Sequence, residues 1–285
     1  MPADNVFLNG SIVPRAEALV SAFDRGLLYG DGFFETTRIH HGNALLLDRH
    51  LARLQDSCRQ TGFGDQPDTR WIAEGVKRLI EANEVDTGYL RITVSRGPYA
   101  GRLTELEAAP PTVLMEARSM DLPPLDEPPP WTLVRSRYRQ NENSPVVAHK
   151  SLSYQANVLA LAEGRAAGAH EVYFLNGREE LTEGAISNLF FVREGVVCTP
   201  ELDCGLLPGI TRAVVLELCS EHGVPCETGA YGEPVLLNAE EAFCTNSLRG
   251  IVPVERVLGP PNVTYTSGPV TSSLQSHYAA FVAAV

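Results

Sequence analysis

A cluster of prolines near the middle of the chain divides the sequence into two parts. Five of the eleven residues in Met120–Pro130 are proline, and this composition favours an extended linker because proline cannot donate the backbone hydrogen bond that helices and strands need. The sequence therefore predicts a domain over residues 1–120, a linker over 121–130 and a second domain over 131–285. A chain of 285 residues is long enough for two medium-sized domains.

The first part has the pattern of an antiparallel sheet with two helices. Asn9–Gly10 between apolar runs predicts a β-hairpin over 6–13, and a second hairpin is predicted over 33–47. Helical spacing of apolar residues predicts helices from residue 49 and over about 70–83. Strands are predicted over 89–95 and 112–116. This order of elements indicates an α+β fold.

The second part mixes strands and helices in a different order. Helices are predicted over about 153–167, from Gly209 to His222, and from about 270, the first with Ala, Leu and Val on its inward face. The predicted strands lie near 131–138, 171–175, 188–192, 196–198, 241–245 and 251–257.

Composition excludes several classes of partner. A net charge of −12 argues against binding nucleic acid or an anionic membrane surface. There is no apolar run of about eighteen residues and no visible signal peptide, which argues against a membrane partner. The six cysteines form no CxxC pair and the seven histidines show no metal-ligand spacing. We therefore predict a cytoplasmic protein with free thiols and no metal.

The use of lysine points to a chemical role. The chain has two lysines against twenty-one arginines. Lys77 lies in a predicted amphipathic helix, where a solvated position is expected. Lys150 lies in Ala148–Tyr154, outside any predicted element. Arginine cannot lose its proton in a protein, whereas a lysine amine can act as nucleophile or base. Lys150 is therefore a candidate Schiff-base residue.

Pyridoxal phosphate is the obvious aldehyde cofactor for such a lysine, and its phosphate needs backbone N–H donors, usually at the start of a helix. Gly205–Arg212 offers them, because Gly209 allows close approach and the N–H groups of Ile210 and Thr211 would point outward. The alternative is an ordinary Pro-Gly turn capped by threonine. Thr245–Ser247 is a second cluster of donors.

The pyridine nitrogen and phenolate oxygen of the cofactor need partners as well. Glu183 stands beside a glycine between apolar segments, as a partner of the ring nitrogen would; the alternative is a surface glutamate in a turn. Tyr154 follows Lys150 by four residues. If a helix begins between them, the two side chains share one face; otherwise Tyr154 is a half-buried aromatic residue.

Together these segments resemble the fold-type IV pyridoxal-phosphate enzymes. This group contains branched-chain aminotransferases, D-amino-acid aminotransferases and aminodeoxychorismate lyases. The resemblance covers almost the whole chain, from Asn9–Gly10 to Pro253. The segments that carry it are Asp24–Glu35, His50–Leu54, His149–Tyr154, Leu181–Gly184, Ser187–Phe190, Leu207–Arg212, Thr245–Ser247 and Ile251–Val254.

The resemblance implies a fold and a set of site residues. The family fold has a small N-terminal α/β sandwich domain and a larger C-terminal pseudo-barrel domain. Its site lies in the cleft between the domains and is completed by the neighbouring subunit of a homodimer. The resemblance further implies that Lys150 forms the imine and that Glu183 holds the pyridine nitrogen. It implies Arg53, Ile210, Thr211 and Ser247 at the phosphate and Tyr154 near the phenolate oxygen.

Five features of the sequence indicate the branch of the family. D-amino-acid aminotransferases have tyrosine where this chain has Phe34, and they have a histidine two residues after an arginine where this chain has Arg102, Leu103 and Thr104. Branched-chain aminotransferases usually have a Gly-Thr-Ala-type turn where this chain has Thr245–Gly250. The Thr-Asn-Ser start of this segment is similar instead to that of the lyases. The spacing of Lys150, Tyr154 and Asn157, and the Ser95–Gly97 pattern before Arg102, are also lyase-like.

The sequence thus favours a 4-amino-4-deoxychorismate lyase, which forms 4-aminobenzoate and pyruvate in folate biosynthesis. A branched-chain or broad-specificity aminotransferase with a keto-acid acceptor is the alternative, and a chain that binds the cofactor without turnover is a third. Both activities begin when the freed amine of Lys150 removes the proton next to the nitrogen of an amine substrate. Phe34, Arg102 and Arg249 are the candidate substrate-binding residues, with the two arginines facing carboxylates.

Overall fold

The computed structural model of the chain describes residues 4–63, 67–98, 103–104, 110–266 and 268–284. Contacts between residues divide the chain into two compact units. The first comprises Met1–Leu122 with His149–Tyr154, and the second comprises Pro123–Ala148 with Gln155–Val285. The segment that carries Lys150 therefore groups with the first unit, whereas the sequence analysis assigned it to the second part of the chain.

The first unit is built on an antiparallel sheet with the strand order β2-β1-β6-β5-β3-β4. Its strands are β1 (Asn5–Leu8), β2 (Ser11–Pro14), β3 (Gly32–His40), β4 (Asn43–Ala44), β5 (Gly88–Ser95) and β6 (Thr112–Ser119), and its helices are α1 (Arg25–Tyr29), α2 (Leu47–Gln60) and α3 (Thr69–Ala82). Both predicted hairpins are confirmed, with Asn9 and Gly10 at positive φ in the first turn. The short helix α1 was not predicted.

The core of the first unit lies between this sheet and the two long helices. Helix α2 buries Leu51, Leu54 and Cys58, and α3 buries Ile72 and Leu79 among other apolar residues. These positions follow the helical spacing read from the sequence. In β3, successive side chains alternate between the two faces of the sheet. Phe33 and Glu35 therefore point to the helix side, and Phe34 points to the opposite face.

The second unit contains a closed ring of strands. Its strands are β7 (Trp131–Arg139), β8 (Glu171–Leu175), β9 (Leu181–Gly184), β10 (Asn188–Arg193), β11 (Val196–Pro200), β12 (Cys226–Gly229), β13 (Glu241–Asn246), β14 (Gly250–Leu258) and β15 (Val263–Thr264), and its helices are α4 (Gln155–Ala166), α5 (Ile210–Glu221), α6 (Glu233–Leu237) and α7 (Pro269–Ala283). Strands β7-β8-β9-β10-β13-β14 close on themselves because β9 also pairs with β10 and β14 pairs with β7. The predicted pseudo-barrel is confirmed.

Helix α4 departs from the prediction for its inward face. Val158 and Leu159 are exposed, and the buried residues of α4 are Ala160 and Gly164. The reason is close packing, since a Cβ atom on Gly164 would lie 2.6 Å from a methyl group of Val172. The helix packs closely at Ala160 and Gly164, and Leu161 packs against the same buried cluster, whereas Val158 and Leu159 face outward.

Two structural features are absent from the residues that the structure describes. None of their helices combines the length and apolar character needed to cross a membrane. They contain no group of three or more His, Cys, Asp and Glu side chains placed to hold a metal ion. All six cysteines fall within the described ranges, and each is a free thiol.

Candidate active site

The segment that carries Lys150 is attached to strand β3. The Lys150 carbonyl accepts a hydrogen bond of 2.9 Å from the backbone N–H of Phe34, and Leu152 donates one of 2.9 Å to Gly32. His149 contacts Ser57 through its Nδ1 at 3.0 Å. Burial lowers the pKa of His149, so its ring is neutral at pH 7. The backbone of Lys150 is therefore fixed on both sides.

The expected helical relation between Lys150 and Tyr154 is wrong. Helix α4 begins at Gln155, after both residues. The two side chains nevertheless meet, since the Lys150 Nζ lies 5.5 Å from the centroid of the Tyr154 ring, and both also contact Phe34. The Lys150 Nζ lies 4.5 Å from the centroid of the Phe34 ring, and the Tyr154 ring packs edge-on against that ring at 5.2 Å. A contact between distant segments thus brings the amine and the phenol to one aromatic side chain.

Arg91 is a site residue that the sequence analysis missed. Its guanidinium carbon lies 3.9 Å from the centroid of the Phe34 ring. Strand register explains this position, because Arg91 pairs with Thr36 and so shares the face of Phe34. Burial lowers the pKa of Arg91, although the group stays cationic at neutral pH. The alternation of β5 predicts only that Arg91 points away from the core.

Arg53 has a buried acidic partner on β3. Its Nε and Nη2 donate to the two carboxylate oxygens of Glu35 at 2.8 and 2.7 Å, and His50 Nδ1 lies 2.6 Å from the same carboxylate. Burial opposes ionisation of Glu35, but Arg53 and His50 outweigh it and lower its pKa to about 2. Burial also lowers the pKa of His50, so its Nδ1–H is the donor. This network sets the direction of the Arg53 side chain.

Arg102 lies outside the described residues. The neighbouring Leu103 is described, and its carbonyl accepts a hydrogen bond of 3.2 Å from Arg25. Arg25 and Arg96 both donate to Asp31, at 2.8 and 2.9 Å. The charged residues of the Asp24–Glu35 motif are therefore engaged inside the first unit.

In the second unit, Glu183 lies in strand β9 rather than in a surface turn. It is 8% exposed. Its Oε2 accepts hydrogen bonds of 3.1 Å from both the Asn188 side chain and the Leu207 backbone N–H. Asn188 also donates to the Leu207 carbonyl at 2.9 Å. These contacts link the glutamate to the loop that leads into α5.

Helix α5 begins at Ile210, as predicted, with Gly209 as its N-cap. No side chain caps this end. The first N–H groups of a helix have no partner within the helix, and they carry a partial positive charge. Gly209 is needed here because an added Cβ atom would lie 1.8 Å from Asn188 Oδ1. This helix start is therefore a place where an anion fits.

The second donor cluster, Thr245–Ser247, lies at the end of strand β13. Thr245 is 2% exposed, and its hydroxyl is a buried polar atom with no hydrogen-bond partner among the described residues. Ser247 and Arg249 are half-buried in the following turn. Asn246 Oδ1 shapes this turn by accepting from the N–H groups of Leu248 and Arg249, at 3.1 and 2.9 Å.

These residues fit the demands of pyridoxal phosphate. An amine beside an aromatic ring, a helix start without a side-chain cap and a largely buried carboxylate are present. The unsatisfied Thr245 hydroxyl, adjacent to Asn188 in the pairing of β10 with β13, adds a donor that a ligand would satisfy.

Comparison with known proteins agrees with this chemistry. The profile of the family described as amino-transferase class IV matches residues 32–257. A provisionally named branched-chain-amino-acid aminotransferase of Methanocaldococcus jannaschii is 32% identical over 276 residues, 96% of this chain and 94% of that protein. The aminodeoxychorismate lyase of Bacillus subtilis is 31% identical over 275 residues, 96% of this chain and 93% of that protein.

A solved structure shares the fold over nearly the full length. It is a branched-chain amino acid aminotransferase from T.th., complexed with N-(5'-phosphopyridoxyl)-L-glutamate. The two chains superpose with a TM-score of 0.89 and 26% identity, over 99% of this chain and 95% of the other. The fold class predicted from the sequence is thereby confirmed.

Proposed function

Because this chain belongs to the amino-transferase class IV family, whose members use pyridoxal phosphate, we propose that it is a 4-amino-4-deoxychorismate lyase. The reaction gives 4-aminobenzoate, a folate precursor, and pyruvate. The observation that carries the proposal is the cluster on Phe34, where the Lys150 amine and the Arg91 guanidinium meet one ring, at 4.5 and 3.9 Å from its centroid. A base and an anion-binding group are thus held side by side.

Each group of the cofactor has a candidate partner among the residues predicted from the sequence. Lys150 would bind its aldehyde carbon, and Glu183 would pair with its pyridine nitrogen. The N–H groups of Ile210 and Thr211 would receive the phosphate, together with Ser247 and Arg53. Tyr154 would donate to its phenolate oxygen. When bound, the cofactor supplies an electron sink that lowers the barrier to removing a proton from the substrate carbon next to nitrogen.

Once the substrate amine has replaced Lys150 at the aldehyde carbon, the freed Lys150 amine would act as the base that removes this proton. Its Nζ is placed by the backbone bonds of the 149–152 segment to β3 and by the Phe34 ring. Glu183 keeps a proton on the pyridine nitrogen, because a largely buried carboxylate stabilises a neighbouring cation more strongly than an exposed one. In the lyase, loss of the proton would be followed by cleavage of the carbon–oxygen bond between the ring and the enolpyruvyl group. The electron pair of that bond would leave with enolpyruvate, which takes up a proton to give pyruvate, and formation of the aromatic product drives the step.

Arginines would bind the carboxylates of the substrate. Aminodeoxychorismate carries two carboxylates, and each suits a bidentate pair with a guanidinium. Arg91 and the half-buried Arg249 are the described candidates, and Arg102 remains a sequence-based prediction. The overall charge of −12 repels an anionic substrate, so these local cations must outweigh it.

A branched-chain or broad-specificity aminotransferase is the second candidate function. The edge-on pair of Phe34 and Tyr154 favours it, because two aromatic rings beside the amine also suit an aliphatic substrate side chain. In that reaction Lys150 would move the proton taken from the substrate carbon, and water would release the substrate as a keto acid. The two relatives are 32% and 31% identical, so identity alone does not separate the two functions.

A direct assay tests the proposal. The protein loaded with pyridoxal phosphate is incubated with aminodeoxychorismate, and pyruvate and 4-aminobenzoate are measured separately. We expect the two products in equal amounts, and none from Lys150→Ala, whereas the matched control Lys77→Ala keeps full activity. A parallel panel of amino acids with 2-oxoglutarate tests the alternative. Transfer of amino groups from leucine or glutamate, with no pyruvate from aminodeoxychorismate, would assign the aminotransferase function instead.

We further propose that the enzyme is a cytoplasmic homodimer. Its six free thiols suit a reducing compartment. An apolar segment of the first unit supports the dimer, since Leu19, Phe23 and Leu27 are 83%, 66% and 70% exposed. Exposed apolar residues this close together are typical of a protein–protein interface.

A further inference from the structure

The turn that joins β9 to β10 is unusually constrained. Gly184 donates to the Ser187 carbonyl at 2.7 Å. An added Cβ atom on Gly184 would lie 2.5 Å from Ser187 Oγ and 2.9 Å from the Glu171 carboxyl carbon. Only glycine therefore lets this turn close over Glu171.

Glu171 holds the turn from the inside of the second unit. It is 0% exposed, and its two oxygens accept hydrogen bonds from Ala185 N at 3.1 Å, Ile186 N at 3.0 Å and Ser187 Oγ at 2.9 Å. A fourth comes from Val172 N at 2.8 Å. Hydrogen bonds to a carboxylate are among the stronger ones in proteins, so the turn is tied to β8.

Asn157 holds the same turn from helix α4. Its Nδ2 donates to the Ala185 carbonyl at 3.0 Å. This asparagine belongs to the lysine–tyrosine–asparagine spacing noted in the sequence, and the proposed chemistry leaves it without a part. The two side chains thus bind the N–H and the carbonyl of one residue, Ala185, from two different elements.

The turn sets the position of Glu183 relative to Asn188. The turn puts Asn188 directly opposite Glu183 in the pairing of β9 with β10. Asn188 then donates to Glu183 Oε2 at 3.1 Å. We propose that Glu171 and Asn157 are positioning residues that orient Glu183 through this turn toward the cofactor's pyridine nitrogen. The proposal rests on the function assigned to Glu183 above.

The test compares two buried glutamates. In Glu171→Gln, the amide N–H₂ faces backbone donors and cannot accept from them, so the turn loses part of its support. The matched control is Glu241→Gln. Glu241 is 6% exposed and accepts from Val270 N at 3.1 Å and Thr271 N at 2.8 Å, at the start of α7. Both variants lose carboxylate bonds to backbone N–H groups, but only Glu171 contacts the turn.

The main readout is the protonation of the ring nitrogen, followed by NMR of bound pyridoxal phosphate labelled with ¹⁵N in its ring. We expect Glu171→Gln to lose this proton at a lower pH than the wild type, with kcat/KM reduced about tenfold, since small misplacements at a reacting centre are costly. Glu241→Gln should lower the melting temperature and leave the ¹⁵N titration unchanged. Ser187→Ala and Asn157→Ala, which each remove one contact, should shift the titration less than Glu171→Gln.

Three results would overturn the proposed positioning role of Glu171 and Asn157. A purely structural role for Glu171 would give the same result in both glutamine variants, a loss of stability with a normal titration, and would overturn the inference. If Glu171→Gln does not fold, an unshifted titration in both Ser187→Ala and Asn157→Ala would overturn it equally. Glu183→Gln separates the inference from the function, because an unshifted titration in that variant would remove Glu183 from its proposed role, and the inference with it.

Discussion

At the scale of single residues, Arg91 has the most direct bearing on which substrate binds. Arg91→Met removes the guanidinium and keeps a long side chain on Phe34. We expect KM for aminodeoxychorismate to rise at least about tenfold, the equivalent of roughly 1.4 kcal/mol of lost binding, while the absorbance of the bound cofactor stays the same. Steady-state kinetics checks this.

Arg118→Met is the matched control for Arg91→Met. Arg118 lies on β6 of the same sheet and pairs with Asp4 in an exposed ion pair of 3.4 Å. Exposed pairs of this kind contribute little to stability, so KM should not change. Equal KM values in both variants and the wild type would remove Arg91 from the substrate site.

The buried Glu35 makes the first unit sensitive to acid. Its pKa falls from 4.5 to about 2 on folding, so its ionisation stabilises the protein above about pH 4.5, and this stability is lost as the pH falls through 2. The shift corresponds to roughly 3 kcal/mol. Glu35→Gln should lack this contribution and its pH dependence, as measured by urea unfolding between pH 3 and 7.

Asp56→Asn provides the comparison on helix α2. Asp56 pairs with Arg59 at 2.7 Å, but more than half of each side chain is exposed to solvent. We expect its free energy of unfolding to match that of the wild type at each pH. An unaltered urea midpoint in Glu35→Gln at pH 7 would contradict the stabilisation attributed to the ionised Glu35 and its pairing with Arg53.

At the scale of elements, the start of α5 carries the phosphate site. Gly209→Ala places a methyl group against Asn188 Oδ1, at 1.8 Å in the present geometry. The helix start or Asn188 must then move, and we expect the affinity of the cofactor-free protein for pyridoxal phosphate to fall by about tenfold or more, because the N–H donors no longer converge. Fluorescence titration measures this.

Gly232→Ala is the control for this helix start. Gly232 is also an extended N-cap glycine, at the start of α6, and the nearest atom to an added Cβ lies 3.5 Å away. Its variant should bind the cofactor normally. Normal binding by Gly209→Ala as well would show that the phosphate lies elsewhere.

Elements with a regular apolar period could be predicted from the sequence, and the short irregular ones could not. Helices α2, α3 and α5 and both hairpins follow from spacing and turn residues. Strand β9 is buried at all four positions yet consists of Leu, Thr, Glu and Gly, so it shows no alternation. The inward face of α4 was assigned correctly for Ala160 and Leu161 but not for valine, because Val158 is exposed and close packing occurs at Gly164.

The candidate active site could likewise be predicted from the sequence only in part. The scarcity of lysine identified Lys150 as a candidate, and the chemistry of helix starts identified Ile210. Arg91 escaped notice because its position over Phe34 depends on the pairing of β3 with β5, which a single sequence does not encode in any local pattern. Lys150 and Tyr154 contact each other, and both also contact Phe34, a residue more than a hundred positions away in the chain.

At the scale of the whole molecule, the exposed apolar segment of the first unit predicts a dimer. Leu27→Asp introduces a charge at a side chain that is 70% exposed in the single chain. Burying an unpaired charge in an interface is costly, so we expect sedimentation velocity to show a shift from dimer to monomer. Leu202→Asp, at a residue of the second unit that is 48% exposed, is the control and should remain a dimer. A wild type that sediments as a monomer would contradict the proposal.

The central claim is that Lys150 binds pyridoxal phosphate, and the near absence of lysine makes it directly testable. The chain has two lysine side chains, Lys150 and Lys77. Borohydride reduction of the loaded protein fixes the cofactor to its amine, and peptide mapping by mass spectrometry then locates it. We predict the added mass on the peptide that contains Lys150 and none on the peptide that contains Lys77. Label on Lys77, or on neither lysine, would contradict the account.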